Sequence, residues 1–358
     1  MEHRQPSLKT RGRGVATNRS GRFERLERSR EHDAWDLPED IPPIRTEVSD
    51  ERPRTIIARN TSPDVPFDRS INPYRGCEHG CVYCFARPSH AFLGLSPGLD
   101  FETKLVARPD AAAVLEATLR KPRYTPDVIA IGTNTDPYQP VEKDRRIMRD
   151  ILGVLAAFNH PVGIATKGAL VERDRDILAE MSAQGLARVG ISVTTLNPDL
   201  ARRMEPRVPS PARRLRAIEH LAKAGISTRV MVSPIVPGLT DHEIEAILQA
   251  ARDAGADGAS MITLRLPREV ATLWREWLQA QYPHRFNRVM GKLREMHGGK
   301  DYDPAWGRRM AGEGIYARLL QDRFARAVKA NGLKTKLAPL RTDLFAVPPR
   351  PGDQLALF

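Results

Sequence analysis

All three cysteines of the 358-residue sequence fall in one run of eight, Cys77-Glu78-His79-Gly80-Cys81-Val82-Tyr83-Cys84. Whatever this chain folds into must bring those thiols together in a loop that also holds Gly76 and Gly80. A [4Fe–4S] cluster usually takes four cysteine thiolates, so three leave one iron open to a ligand that is not protein. An open metal position is the habit of reactive sites, whereas structural sites are closed. Isolated cysteines are often small buried hydrophobes, but the C-x3-C-x2-C spacing is poorly explained that way. A zinc site closed by His79 or His90 is the stronger alternative. A disulfide scaffold is disfavoured by the odd count and by a chain too long to need staples. The spacing favours iron–sulfur and leaves zinc open.

Beyond the loop, short β-branched runs alternate with amphipathic stretches, the pattern of parallel βαβ units. Strands are expected at Asp68 to Asn72, Val128 to Ile131, Val162 to Ala165, Arg188 to Val193, Arg229 to Val232 and Ala259 to Ile262. Helices are expected at Val141 to Phe158, Leu170 to Ala183, Pro211 to Lys223 and Asp241 to Asp253. Six such units make an α/β fold, either a doubly wound sheet or a partial barrel. Phe101 to Ala107 reads as an extra strand. After Leu266 the pattern turns helical, with helices expected at Glu269 to Gln279, Phe286 to His297 and Ile315 to Ala330. The domain organisation is therefore a disordered basic arm and linker over 1–55, an α/β core over 60–266, a helical C-terminal extension over 267–337 and an extended tail over 338–358.

The composition narrows the class. At 41% hydrophobic the chain can bury a full core. It has no apolar window of membrane-spanning length and no apolar segment behind Met1 that reads as a secretory signal. Unpaired thiols fit a reducing compartment, so a cytoplasmic location is expected. The net charge is +12, with an arginine-rich stretch before Glu31. Basic chains commonly meet polyanions such as nucleic acid, although a solvated basic tail gives the same count.

The run Ile71-Asn72-Pro73-Tyr74-Arg75-Gly76-Cys77 through Cys84-Phe85-Ala86-Arg87-Pro88 resembles the radical S-adenosylmethionine (SAM) superfamily, including the aromatic Tyr83 just before the third cysteine. The continuation from Ser89 to Lys104 resembles the spore photoproduct lyase-like branch, often labelled DNA repair photolyase. The resemblance runs from about Thr61 to about Gly314. It implies a partial (β/α)6 TIM-type barrel, with chemistry on the loops after the strands. It implies a [4Fe–4S] cluster on Cys77, Cys81 and Cys84, and SAM on the fourth iron, cleaved reductively to a 5′-deoxyadenosyl radical. An electron donor such as flavodoxin or ferredoxin follows from the same resemblance.

The resemblance also assigns the strand-end motifs. Many relatives carry a Gly-Gly-Glu patch for the SAM ammonium where this sequence has Gly132-Thr133-Asn134-Thr135-Asp136; here Thr135 and Asp136 supply the oxygens, in a stretch that also reads as an Asp-Pro turn. Lys167 is expected at the SAM carboxylate. Ser192 and Thr194, on one side of their strand, are expected at the ribose. Glu205 and Arg214 match the Glu…Arg pattern of the superfamily, whereas Ser210-Pro211 reads as a plain helix cap. Ile235 is expected against the adenine and Tyr83 beside the cofactor. Spore photoproduct lyase uses a further cysteine to return a hydrogen atom, and this sequence has none; Tyr74, Tyr83 and Tyr138 are the hydroxyls that would have to replace it.

Two partners are expected. Nucleic acid is one. The other is a sliding clamp, because Gln354-Leu355-Ala356-Leu357-Phe358 resembles the peptide by which bacterial polymerases and repair proteins dock, with Gln354, Leu355, Leu357 and Phe358 as anchors. The functional expectation is a radical SAM enzyme acting on nucleic acid. The alternatives are a radical SAM enzyme acting on a protein or small molecule, and a non-enzymatic zinc-binding nucleic-acid module.

Overall fold

The computed structural model describes residues 13–24 and 44–350. Ten strands are present among them: β1 (Glu47–Asp50), β2 (Ile57–Arg59), β3 (Arg69–Ile71), β4 (Tyr74–Arg75), β5 (Lys104–Ala107), β6 (Ile129–Ile131), β7 (Val162–Thr166), β8 (Ala187–Ser192), β9 (Thr228–Ile235) and β10 (Gly258–Thr263). The larger sheet runs β10-β9-β8-β7-β6-β3-β2. From β3 to β10 every pairing is parallel, and β2 closes one edge antiparallel to β3. The six parallel strands are the six expected from the sequence, and they form a partial (β/α)6 barrel. Ile129, Ala130 and Ile131 are all buried, as a strand covered on both faces requires.

The helices pack their apolar stripes on the sheet. In Ile147–Ala157 the buried residues are Ile147, Met148, Ile151, Leu152 and Leu155, one face at helical spacing. The continuous helix expected from Val141 to Phe158 is broken at Arg146, whose φ of +55° is left-handed. The buried Glu142 carboxylate explains the break, because it accepts from the Met148 amide at 3.1 Å and restarts the helix there. Leu170 to Ala183 begins as a 3-10 turn, Ala169–Asp174, before the α-helix Arg175–Ala183. The strand expected at Phe101 to Ala107 is a helical turn, Asp100–Thr103, followed by β5.

Beside the barrel lies a three-stranded sheet in the order β1-β5-β4. Strand β1 and residues 13–24 fall inside the stretch expected to be a disordered arm. Both are packed: Val15 is buried, and β1 pairs along its length with β5. The remaining residues of that basic stretch, 1–12 and 25–43, lie outside the described residues.

Two cores result. The larger fills the barrel and its helices, and takes in Ala317, Leu320 and Phe324 of the helix Gly314–Ala330. The smaller joins Cys81, Val82 and Tyr83 to Trp274, Trp277, Met290 and Leu293. The helices Glu269–Gln281 and Phe286–Met296 therefore roof the cysteine loop. Residues 338–350 run without helix or strand and are held along the outside of the barrel. The Ala338 carbonyl accepts from Arg188 at 2.5 Å, the Arg341 amide donates to Gly185 at 2.9 Å, and the Ala346 amide donates to Phe158 at 3.1 Å. The expected clamp peptide, 354–358, lies outside the described residues. No helix among the described residues is long and apolar enough to cross a membrane.

Candidate active site

The cysteine loop leaves the C-terminal end of β3 and is fixed at many points. Gly76 and Gly80 flank Cys77 with φ of +77° and +66°, a region side chains rarely adopt. The Cys77 amide donates to the Phe101 carbonyl at 2.9 Å, and the Val82 amide to the Met204 carbonyl at 3.0 Å. Cys77 and Cys81 are buried and Cys84 is half-buried. Burial pushes the Cys77 and Cys81 thiols well above their usual pKa; Asp136 adds to the effect at Cys77 and Glu205 at Cys81. The Cys77 and Cys81 thiols are therefore costly to ionise unless a cationic cluster holds them, and metal coordination reverses that cost. The residues fit an iron–sulfur cluster on this ground.

The zinc alternative fares worse. His79 turns its Nδ1 to the Asp136 carboxylate at 3.2 Å, and His90 bonds through Nε2 to the Lys104 carbonyl at 3.0 Å. Each expected fourth ligand thus has one ring nitrogen engaged away from the thiols. Among the described residues, no three His, Cys, Asp or Glu side chains gather around one metal position.

The strand-end residues lie around the cysteine loop, and several are bonded to one another. Asp136 is a hub: it accepts from the Thr166 hydroxyl at 2.5 Å, the Lys167 amide at 2.6 Å and the Tyr138 amide at 2.9 Å. Burial alone would raise its pKa, but His79, Thr166 and the Lys167 amide outweigh burial and bring it down to about 2. Thr135 donates to the Tyr74 carbonyl at 3.2 Å. Both residues brace loops around the candidate site.

Deeper in the mouth, the Tyr83 hydroxyl donates to the Glu205 carboxylate. Arg214 donates to the other Glu205 oxygen at 2.7 Å and to the Ser192 carbonyl at 2.9 Å. Burial pushes Glu205 upward, yet Arg214 and then Lys167 prevail and hold it below the usual carboxylate range. Lys167 Nζ lies 5.8 Å from the Tyr83 ring centroid. Ser192 gives its hydroxyl to the Ser233 carbonyl at 2.7 Å. The Ser233 hydroxyl is buried with no hydrogen-bond partner among the described residues, and the Thr194 hydroxyl faces the Glu205 carboxylate. An orphaned hydroxyl at this strand end fits a polar ligand such as a ribose. Ile235 is buried at the end of β9, and Ser210 is the helix cap expected of it, accepting from the Arg213 amide at 3.3 Å.

The three tyrosines separate. Tyr74 donates to Glu142 at 2.5 Å and Tyr138 to Asp174 at 3.1 Å, in a network bridged by Arg173. Tyr83, beside Lys167 and Glu205, is the one that belongs to the site.

Sequence reasoning missed three supports. Gln139 braces the backbone around Cys77. Arg87, wholly buried, donates to the carbonyls of Gly80 and Cys81 and to Glu102 at 2.5 Å. Glu102 in turn accepts from the amides of Gly14 at 2.9 Å and Val15 at 3.3 Å. This strap lies so close that a side chain at Gly14 would overlap the Gly80 carbonyl. Arg87 and Glu102 both stood in the quoted motif; a buried charge of each sign fifteen residues apart was the available signal.

Comparison with known proteins agrees with this geometry. The profile of the Radical SAM superfamily matches residues 71–251. An uncharacterised protein of Mycobacterium tuberculosis is 36% identical over 285 residues, covering 78% of this chain and 83% of that one. GTP 3′,8-cyclase 3 of Mycobacterium tuberculosis is 24% identical over 190 residues, 51% of this chain and 44% of that one. Among solved structures, spore photoproduct lyase complexed with dinucleoside spore photoproduct aligns with a TM-score of 0.56 at 16% identity, over 80% of this chain and 81% of that one. A mutant of that lyase with bound AdoMet and the same dinucleoside aligns with a TM-score of 0.57 at 16% identity, over 80% of each chain.

Proposed function

Because the chain belongs to the radical SAM superfamily, we propose that it is a member acting on nucleic acid. It is an enzyme whose cofactors are the superfamily's [4Fe–4S] cluster and SAM. When bound, these groups supply a 5′-deoxyadenosyl radical by reductive cleavage of SAM. The protein's share is to hold and orient them.

Cys77, Cys81 and Cys84 would hold three irons and leave the fourth for SAM. Lys167 would bind the SAM carboxylate as a point charge, with Asp136 fixing its backbone. The Thr194 and Ser233 hydroxyls would take the ribose, and Ile235 would pack on the adenine. Tyr83, Glu205 and Arg214 form a rigid charged frame around that position. The roof of helices Glu269–Gln281 and Phe286–Met296 keeps water from the buried side of the loop.

The observation that carries the nucleic-acid reading is the fold likeness, over 80% of the chain, to a lyase complexed with a dinucleoside photoproduct. The net charge of +12 supports it. The sequence has three cysteines, all in the loop, so any hydrogen return uses another group, and Tyr83 is the hydroxyl at the site. A ferredoxin or flavodoxin as reductant, and a clamp on Gln354 to Phe358, belong to the same reading.

The test is isotopic. The anaerobically reconstituted protein is given reductant, unlabelled SAM, and in separate reactions deuterated ultraviolet-damaged DNA, deuterated tRNA or a deuterated protein extract. Deuterium passing from DNA or tRNA into 5′-deoxyadenosine is the expected result. Exchange confined to the protein extract overturns the nucleic-acid reading.

A further inference from the structure

The rim of the barrel carries a cation–aromatic assembly that the cofactor reading leaves without a role. Phe85 directly follows Cys84 and is 43% exposed. Arg265, just past the end of β10, lays its guanidinium 3.8 Å from the Phe85 ring centroid. The loop bearing Trp306, itself 56% exposed, is tied to the same strand end: the Thr263 amide and hydroxyl both donate to the Met310 carbonyl at 2.9 Å. Phe85 and Arg265 thus stand on the rim beside the cluster loop, and the loop that carries Trp306 is anchored to the same strand end.

The two arginines of the Trp306 loop are paired. Arg309 pairs with Asp64, which also accepts from the Gly307 amide at 2.7 Å. Arg308 pairs with Asp303 at 3.1 Å and Glu313 at 3.2 Å. Arg265 forms no ion pair among the described residues. Burial lowers its pKa and Arg309 opposes it further, with Tyr302 offsetting part of the cost. A partly desolvated guanidinium stacked on an exposed ring, with a second exposed aromatic on the neighbouring loop, matches what a nucleobase and its phosphate require. Rings stack on any base face, and guanidinium both stacks and pairs with phosphate. Bases paired in a duplex cannot reach such a surface, whereas an unpaired or extruded base can.

We propose that Phe85, Arg265 and Trp306 form a stacking platform for an unpaired nucleobase at the mouth of the site, so that the substrate is a single strand or a locally opened duplex. This assignment rests on the nucleic-acid reading above.

The experiment measures fluorescence anisotropy with the reconstituted full chain, using a labelled oligothymidine strand and its duplex with oligoadenine, across a salt series. Wild type binds the strand more tightly than the duplex. Phe85→Ala and Trp306→Ala each weaken strand binding at least about fivefold, the low end for loss of one base stack, and leave the salt slope unchanged. Arg265→Gln weakens binding and lowers the salt slope by about one. Arg341→Gln, an equal charge loss at the opposite end of the barrel, binds as wild type. Trp306 and Arg341 are exposed, so their variants keep the fold, checked by iron and sulfide content. If wild type binds the strand and all three rim variants match Arg341→Gln, the platform is wrong and the nucleic-acid reading survives. If wild type binds neither strand nor duplex, both fall.

Discussion

Gln139 grips the backbone on both sides of Cys77: its Nε2 donates to the Gly76 carbonyl at 3.2 Å and its Oε1 accepts from the Glu78 amide at 2.8 Å. The side chain is wholly buried, so no water replaces it when it is removed. Gln139→Leu strands one buried carbonyl and one buried amide, each costing about 1–3 kcal/mol. The expected outcome is a lower melting temperature and a fall in acid-labile sulfide per chain, with Gln139→Glu intermediate because it keeps the acceptor. Full sulfide occupancy in Gln139→Leu would show that Cys77 needs no such brace.

Arg87 and Glu102 form an ion pair with both side chains fully buried. Removing one member leaves the other charged and unpaired, at a cost of about 3–5 kcal/mol. Arg87→Met is therefore expected to lower the urea midpoint sharply. Glu102→Gln, which weakens the hold on the Gly14 and Val15 amides, should also speed tryptic cleavage after Arg13 and Arg19. Equal cleavage rates in wild type and Glu102→Gln would mean that the carboxylate does not hold the strap.

Arg214 and Ser210 lie four residues apart in one segment yet predict opposite phenotypes. Arg214→Met releases Glu205 and the Ser192 carbonyl from their shared guanidinium, and SAM binding by calorimetry should weaken at least about tenfold, the equivalent of one hydrogen bond to a charged group. Ser210→Ala removes only a helix cap, costing about 1 kcal/mol of stability with SAM affinity unchanged. A Ser210→Ala protein that loses SAM would reverse the assignment of these two residues.

Acid should destabilise the barrel through its buried histidines. Burial lowers His160 from 6.5 to about 4, outweighing its bond to the Pro161 carbonyl, and the Tyr124 hydroxyl meets its Nε2 at 2.7 Å. A depressed folded-state value means that the unfolded chain takes up the proton first. The stability from neutral His160 is thus complete above about pH 6.5 and is lost as pH falls toward about 4. His90, also lowered by burial to about 4, adds to the same window. His160→Gln should flatten the melting-temperature profile between those values; an unchanged slope would assign the acid sensitivity elsewhere.

The barrel was legible because its strands announce themselves: Ile129-Ala130-Ile131 and Val162 to Thr166 are apolar runs that cannot stay in water. The metal loop was legible because three cysteines at fixed spacing carry their own chemistry. Arg146 was not legible, since a single left-handed residue leaves the surrounding helical pattern intact and only the buried Glu142 carboxylate determines the break. The bonds that Thr135 and Asp136 make to neighbouring loops were not legible, because hydroxyls and carboxylates read alike whether they face a cofactor or a neighbouring loop. Residues 13–24 have almost no apolar periodicity; their order comes from backbone amides meeting a carboxylate far along the chain, which no local pattern encodes.

That long-range contact bears on how the protein is made. Gly14 is synthesised 88 residues ahead of Glu102, the side chain that receives it, and it cannot seat until the cysteine loop and the turn at Asp100–Thr103 exist. Until then Cys81, Val82 and Tyr83 lack the cover of Val15, and the loop is open to whatever machinery delivers iron and sulfide. Seating the strap closes that interval. The strap therefore cannot take its place over the loop before residue 102 has been synthesised.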